Sequence, residues 1–186
     1  MKTKYPRKLA LEVTRAILEE IGEACERVIV AGSLRRMKAE VGDIELVYIP
    51  ITEMRPVPGD MFREAKVDLV NLAIKDMMAR GIMELRRGES GHTAYGERNK
   101  LMTHIPTGIP VDFFATVETS WWNYLVCRTG PKESNMRIAE AARSKGWRWN
   151  PYGSGFSGPG NEFHQVTSEA DVFEFVGLPY REPCDR

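Results

Sequence analysis

The sequence has few cysteines, no long apolar run and no excess of charge of either sign. Its three cysteines, Cys25, Cys127 and Cys184, are widely spaced and odd in number, which argues against a disulfide framework and against a zinc site. No segment is apolar over the length that crosses a bilayer, and the first residues lead into a charged helix, so we expect a soluble intracellular protein. The 26 basic and 26 acidic residues cancel, which argues against nucleic-acid binding by bulk charge alone.

An acidic pair lies in an apolar strand pattern within the run Ala31 to Ile49. Apolar residues alternate at Ile44, Leu46 and Tyr48, which is typical of a half-buried strand. Residues two apart on a strand share a face, so Asp43 and Glu45 are expected to point the same way. Such a pair can bind magnesium, and an equally good interpretation of the pair alone is a strand face exposed to water.

Phosphate-binding groups precede this pair. Gly32 and Ser33 offer backbone N–H groups and a hydroxyl in a turn, and Arg35, Arg36 and Lys38 add positive charge nearby. Phosphate donors and metal ligands would then face one reactive centre, which favours a binding site over an exposed strand.

A third carboxylate is predicted at Asp112, the single acid in the apolar run from Gly108 to Phe114. An isolated acid beside valine and phenylalanine is costly to bury unless it has a partner. A metal ion would provide one, and the alternatives are an N–H donor or a position at the edge of a sheet.

The Gly-Ser turn followed by Asp-Ile-Glu resembles the nucleotidyltransferase signature. The form of the signature is the one found in family X DNA polymerases, such as DNA polymerase beta. The resemblance implies that Ser33, Arg36 and Gly42, together with Gly32, bind the nucleotide's phosphates. It also implies that Asp43, Glu45 and Asp112 are catalytic and bind two magnesium ions, for which manganese can substitute. The family usually has aspartate where this chain has Glu45.

The C-terminal sequence resembles the thumb of the same family. Thr129 and Gly130 match its Thr-Gly turn against the nucleotide, and Arg137 matches an arginine that contacts the template. By the same resemblance we expect Arg128 and Lys132 to contact DNA. Cys127 and Arg128 replace an aromatic pair that helps to exclude ribonucleotides, and the loop after Gly130 is shorter than usual.

The resemblance implies an α/β (α+β) fold, in which a mixed sheet flanked by helices forms a palm over residues 1–117 and a small α+β thumb covers residues 118–186. We expect no N-terminal lyase or fingers domain. The implied function is addition of a nucleotide from a dNTP to a primer 3′-hydroxyl, in short-gap DNA repair with low processivity. Primer–template or gapped DNA would be the partner, with no membrane contact, and the protein would be a monomer.

Two alternatives stay open at this point. One is a nucleotidyltransferase with another acceptor or no template, and the other is an inactive module that binds a nucleotide or nucleic acid.

The pattern of apolar residues also predicts several local elements: helices around residues 9–24, 67–77, 134–146 and 168–173, strands around 82–86 and 100–104, and a loop at 50–60. Ser134 and Ser168 are predicted helix caps, and Trp121 and Trp122 are predicted to be packed rather than to stack on bases.

Overall fold

The computed structural model describes residues 3–57, 59–87, 91 and 93–186. Its helices are α1 (Arg7–Ile21), α2 (Gly32–Arg35), α3 (Leu69–Ala79), α4 (Trp121–Thr129), α5 (Lys132–Ser144) and α6 (Glu169–Phe175). Its strands are β1 (Tyr5–Pro6), β2 (Cys25–Val30), β3 (Glu40–Val41), β4 (Ile44–Pro50), β5 (Thr52–Val57), β6 (Asp60–Asp68), β7 (Met83–Leu85), β8 (Asn99–His104), β9 (Ile109–Ala115), β10 (Arg148–Asn150), β11 (Gly155–Ser157) and β12 (Phe163–Gln165).

A five-stranded mixed sheet in the order β2-β4-β9-β8-β7 forms the centre of the molecule. Strands β4 and β9 are parallel, and the other neighbouring pairs are antiparallel. The mixed sheet flanked by helices that we expected from the sequence is therefore confirmed.

Helices α1 and α3 cover one face of this sheet. The predicted apolar stripe of α1 is buried through Val13, Ile17 and Ile21, because residues three and four apart share a helix face. Asp68 directly precedes helix α3 and caps it, because its side chain accepts a hydrogen bond of 3.0 Å from the Asn71 N–H. Both predicted helices are thus present and pack into the main core.

The predicted loop at residues 50–60 is wrong. Strands β5 and β6 pair there as an antiparallel hairpin, with a register irregularity between Pro56 and Val57. The prolines suggested a loop because proline cannot donate to a strand ladder, yet a two-stranded ribbon has outer edges on which no donor is needed. The irregularity lies beside Pro56, which is where such a residue is tolerated.

The C-terminal helices and the small sheet β10-β11-β12 share a second core. A third cluster joins this part to the central sheet, because Trp121 and Tyr124 of α4 pack against Val47 and Phe114. Trp121 is buried, as predicted. The predicted boundary between residues 117 and 118 stays a prediction.

The predicted cap of α5 is wrong, and that of α6 is confirmed. Helix α5 begins at Lys132 after Pro131, so Ser134 lies inside the helix. Proline there has a backbone angle suited to entering a helix, which lets the helix start earlier than Ser134. The Ser168 hydroxyl accepts a hydrogen bond of 3.0 Å from the Asp171 N–H. Among the described residues, no helix combines the length and the apolar character needed to cross a membrane.

Candidate active site

Glu45 and Asp112 lie side by side on the parallel strands β4 and β9. Neighbouring strands are separated by about 4.8 Å, and residues in register on them point to the same face of the sheet. Asp43 comes directly before β4, and its charge acts on Glu45. The structure therefore places Glu45 beside Asp112, with Asp43 near enough for its charge to act on Glu45.

Burial, followed by the charges of Asp43 and Asp112, raises the pKa of the Glu45 carboxyl to about 7. Arg128 and Arg36 oppose this shift. The side chain packs tightly against Gly32, since a Cβ atom built on Gly32 would lie 1.7 Å from Glu45 Oε2. Gly32 also has a φ of +59°, a conformation that favours glycine. Glycine is thus required here for both space and backbone conformation.

Asp112 forms an ion pair with Arg86, in which Arg86 Nη2 lies 2.7 Å from Asp112 Oδ1. The sequence did not predict this contact, because it joins two residues that are distant along the chain. Within the described part of the chain, no three His, Cys, Asp or Glu side chains are gathered closely enough to hold a metal ion.

The donor set fits a hard divalent cation in its chemistry. Three carboxylates supply oxygen ligands, which magnesium prefers. Their mutual repulsion contributes to the raised pKa of Glu45, and a divalent cation would relieve it. Asp43, Glu45 and Asp112 would hold such an ion once Asp112 turns from Arg86.

Arg36 connects the Gly-Ser turn to the Thr-Gly turn. Its guanidinium Nη1 donates a hydrogen bond to the Thr129 carbonyl oxygen. A Cβ atom on Gly130 would lie 3.4 Å from the same Nη1. Burial lowers the pKa of Arg36, and the carboxylates of Glu45, Glu133 and Asp43 oppose that effect. Ser33 lies in α2, three residues before Arg36, and the buried Gly42 directly precedes Asp43.

One open cleft of about 620 Å³ joins several residues that the sequence singled out, namely Arg36, Glu45, Arg128, Gly130 and Lys132. The guanidinium carbon of Arg128 lies 3.5 Å from the centre of the Phe114 ring, so this cation stacks on an aromatic face within the cleft. The cleft gives room for a ligand beside Glu45.

The sequence reasoning missed two further residues of the cleft, Asn135 and Tyr152. Asn135 Nδ2 donates to the Cys127 carbonyl over 2.8 Å. Tyr152 lies in the turn between β10 and β11, which the buried Asn123 holds through a 2.6 Å hydrogen bond to the Asn150 carbonyl. No local sequence pattern indicates that this turn borders the cleft.

Arg137 lies apart from this cleft. It lines a smaller cavity of about 170 Å³ on another side of α5, together with Arg181 and Arg186. Residues that share the cleft with Glu45, such as Lys132 and Asn135, lie on a different face of the same helix. The predicted template contact of Arg137 is thus separate from the predicted contacts of Arg128 and Lys132.

A buried ion-pair network, also missed from the sequence, joins α2 to the C-terminal part. Glu169 accepts hydrogen bonds from Arg35, at 2.5 and 3.1 Å, and from Arg186 at 3.0 Å. Arg35 also donates to the Thr129 hydroxyl over 2.7 Å. Such a network depends on four distant segments, so a local sequence pattern could not reveal it.

The chain is similar to known DNA polymerases in sequence and in fold. The family model of the DNA polymerase beta thumb matches residues 124–186. The whole chain is 26% identical over 201 residues to DNA polymerase lambda of Arabidopsis thaliana. The chain spans 37% of the length of that relative.

In fold, the chain is similar to a solved structure of Leishmania infantum polymerase beta, described as a ternary P/T complex. The TM-score is 0.74 at 19% sequence identity, and the match covers 99% of this chain and 77% of the other. The central sheet, the C-terminal thumb match and the similarity along the whole chain lead to one conclusion. The C-terminal part of the chain matches the DNA polymerase beta thumb, and the whole chain is similar in sequence and fold to family X DNA polymerases.

Proposed function

We propose that this chain is a DNA polymerase that transfers a nucleotide from a dNTP to a primer 3′-hydroxyl. The observation that carries the proposal is the pairing of Glu45 with Asp112 in register, beside a cleft that also contains Arg36. We further propose that residues 1–117 act as the palm and residues 118–186 as the thumb. We also propose that the chain acts in short-gap filling in DNA repair, with low processivity.

The phosphates of the nucleotide are bound by Ser33, Arg36 and the backbone of Gly42 in this proposal. The hydrogen bond to the Thr129 carbonyl holds the Arg36 guanidinium in position before the nucleotide binds. Binding therefore does not have to order this side chain. The Thr129–Gly130 turn would then lie against the nucleotide. This arrangement orients the α-phosphorus toward the primer.

The reaction forms a bond between the primer 3′-oxygen and the α-phosphorus and breaks the bond to the β-phosphate, so pyrophosphate leaves. Asp112 accepts the proton of the 3′-hydroxyl at a carboxylate oxygen. Glu45 and Asp43 act as anions. Because the pKa of the Glu45 carboxyl is raised to about 7, Glu45 must lose its proton before the reaction. Two magnesium ions, bound by the three carboxylates, would supply charge neutralisation and lower the pKa of the 3′-hydroxyl.

DNA would enter beside Arg128 and Lys132, which line the cleft. Arg137 would contact the template from its separate position on α5. Because the chain has no net charge, we expect weak binding that depends strongly on salt. The structure of similar fold was determined as a ternary P/T complex, which supports a primer and template as substrate.

The test is a primer-extension assay in which each dNTP and rNTP is offered singly, with magnesium or manganese, on a primer with and without its template. The proposal expects addition of the dNTP that pairs with the template base and loss of activity in the Asp43→Asn variant. The Glu64→Gln variant, changed at an exposed site on β6, serves as the control and should match the parent.

The other outcomes separate the alternatives. Addition without a template would assign the chain as a terminal transferase, and addition to RNA alone would assign another acceptor. Nucleotide binding without any transfer, under both metals, would overturn the proposal in favour of an inactive module.

A further inference from the structure

Arg86 reaches the third carboxylate across an intervening strand. Asp112 of β9 is paired with Leu101 of β8, and the backbone N–H of Arg86 donates to the Leu101 carbonyl over 3.0 Å. Glu45 is paired with Asp112 on the other side. The four residues therefore form one row across the sheet, and the Arg86 side chain spans Leu101 to reach Asp112 Oδ1 at 2.7 Å.

This contact opposes cation binding. The guanidinium lies 2.7 Å from a carboxylate oxygen that a metal would use, and its positive charge repels a second cation nearby. The side chain of Asp112 is only 13% exposed, so solvent screens this repulsion weakly. Arg86 and a divalent cation thus compete for the same carboxylate.

Arg86 has an alternative type of partner. A guanidinium binds carboxylate and phosphate with the same planar pair of donors. The Arg86 side chain is 27% exposed, so a phosphate from solvent can approach it without unfolding the sheet. Its neighbour Arg87 is exposed and adds positive charge at the same edge.

We propose that Arg86 is a positioning residue that exchanges partners. In the free protein it holds Asp112, and when a nucleic-acid strand binds it moves to a backbone phosphate and releases Asp112 to the cation. The inference rests on the proposed function, because it requires a metal at the three carboxylates. Binding of DNA and binding of the cation are then coupled, each favouring the other.

The test measures Mn²⁺ binding by electron paramagnetic resonance, with the full chain and without nucleotide. The parent, Arg86→Met and the matched control Arg87→Met are each titrated alone and with a saturating DNA duplex that has a recessed 3′ end, after subtraction of a titration of the duplex. Without DNA, Arg86→Met should bind Mn²⁺ about tenfold more tightly than the parent, a factor typical of coupled sites. Arg87→Met, which loses the same charge, should bind as the parent does.

DNA should tighten Mn²⁺ binding by the parent and by Arg87→Met but leave Arg86→Met unchanged. Arg86→Gln, which keeps a polar side chain without the charge, should behave as Arg86→Met does and provides a second variant if the methionine change impairs folding. Circular dichroism checks the fold of each variant. Damage to the structure would weaken Mn²⁺ binding, whereas the proposal requires it to become tighter.

An Asp112→Asn variant separates the two possible failures. If Asp112→Asn weakens Mn²⁺ binding while both Arg86 variants bind as the parent does, the role of Arg86 is overturned and the metal site stands. If the parent, Asp112→Asn and the Arg86 variants all bind Mn²⁺ equally, the metal site of the proposed function fails, and the role of Arg86 fails with it.

Discussion

Arg35 and Glu169 form an ion pair with a shortest distance of 2.5 Å that links α2 to α6. Both side chains are largely buried, at 17% and 9% exposure, and Arg186 pairs with the same carboxylate. Loss of this carboxylate leaves two arginines without their shared partner. The pair thus connects the turn beside the candidate active site to the C-terminal core.

We predict that Glu169→Gln lowers the free energy of unfolding by about 3 kcal/mol, because breaking a buried ion pair leaves uncompensated charge. Urea unfolding followed by tryptophan fluorescence provides the measurement. Glu53→Gln is the control, since Glu53 pairs with Arg55 on an exposed hairpin, where such a pair contributes less than about 1 kcal/mol. Equal effects of the two changes would show that the Glu169 network does not stabilise the fold.

Gly32→Ala is predicted to reduce primer extension by about 100-fold, the size of effect that displacement of a catalytic group can have. The new methyl group would collide with Glu45 Oε2, and the positive φ of Gly32 disfavours alanine. Gly22→Ala is the control, because Gly22 has a φ of −58° and its added Cβ would meet no atom within 4 Å. Single-turnover extension rates decide the matter, and an unchanged rate for Gly32→Ala would remove Glu45 from the reacting centre.

Stability should fall as the pH rises through the titration of Glu45 when no metal is present. The folded protein raises the pKa of this carboxyl to about 7, so it retains a proton that the unfolded chain loses above the ordinary value of 4.5. The free energy of unfolding is therefore highest on the acid side and decreases toward pH 7, by at most about 3 kcal/mol.

Urea unfolding in a chelator, at about pH 5 and about pH 8, tests this dependence. Glu45→Gln should show a smaller decrease than the parent, because glutamine does not titrate. Added magnesium should restore stability at the higher pH in the parent, since a cation that binds only the folded state stabilises it. Identical pH profiles for parent and variant would mean that the Glu45 carboxyl titrates normally in the fold.

The sequence predicted the carboxylate strands because their signals are local. Alternation in β4 fixed the face of Glu45, and the isolated acid in β9 identified Asp112. Their pairing side by side depends on the parallel contact of two distant strands, which no local pattern shows, whereas the resemblance to a known family implied a shared catalytic role. The helices α1 and α3 were also predictable, because each has a regular apolar stripe.

The remaining features depend on tertiary contacts. Arg86, directly after β7, contacts Asp112 of β9 across β8, which lies between these two strands. Nothing near Arg86 in the sequence indicates this contact. Glu169 likewise opens a helix whose cap was predicted, yet its arginine partners come from distant segments. The hairpin β5-β6 was mistaken for a loop because prolines were weighed without knowledge that the ribbon has free edges.

The central claim is that Asp112 belongs to a nucleotidyl-transfer site, and the single-turnover rate of primer extension by Asp112→Asn tests it most directly. The assay uses magnesium, a matched dNTP and a primer–template, with Asp60→Asn as the control because Asp60 lies exposed at the tip of the β5-β6 hairpin. The account predicts that Asp60→Asn extends at the parental rate and that Asp112→Asn is slower by about 100-fold or more, as expected for loss of a proton acceptor. Extension by Asp112→Asn at the parental rate would contradict it.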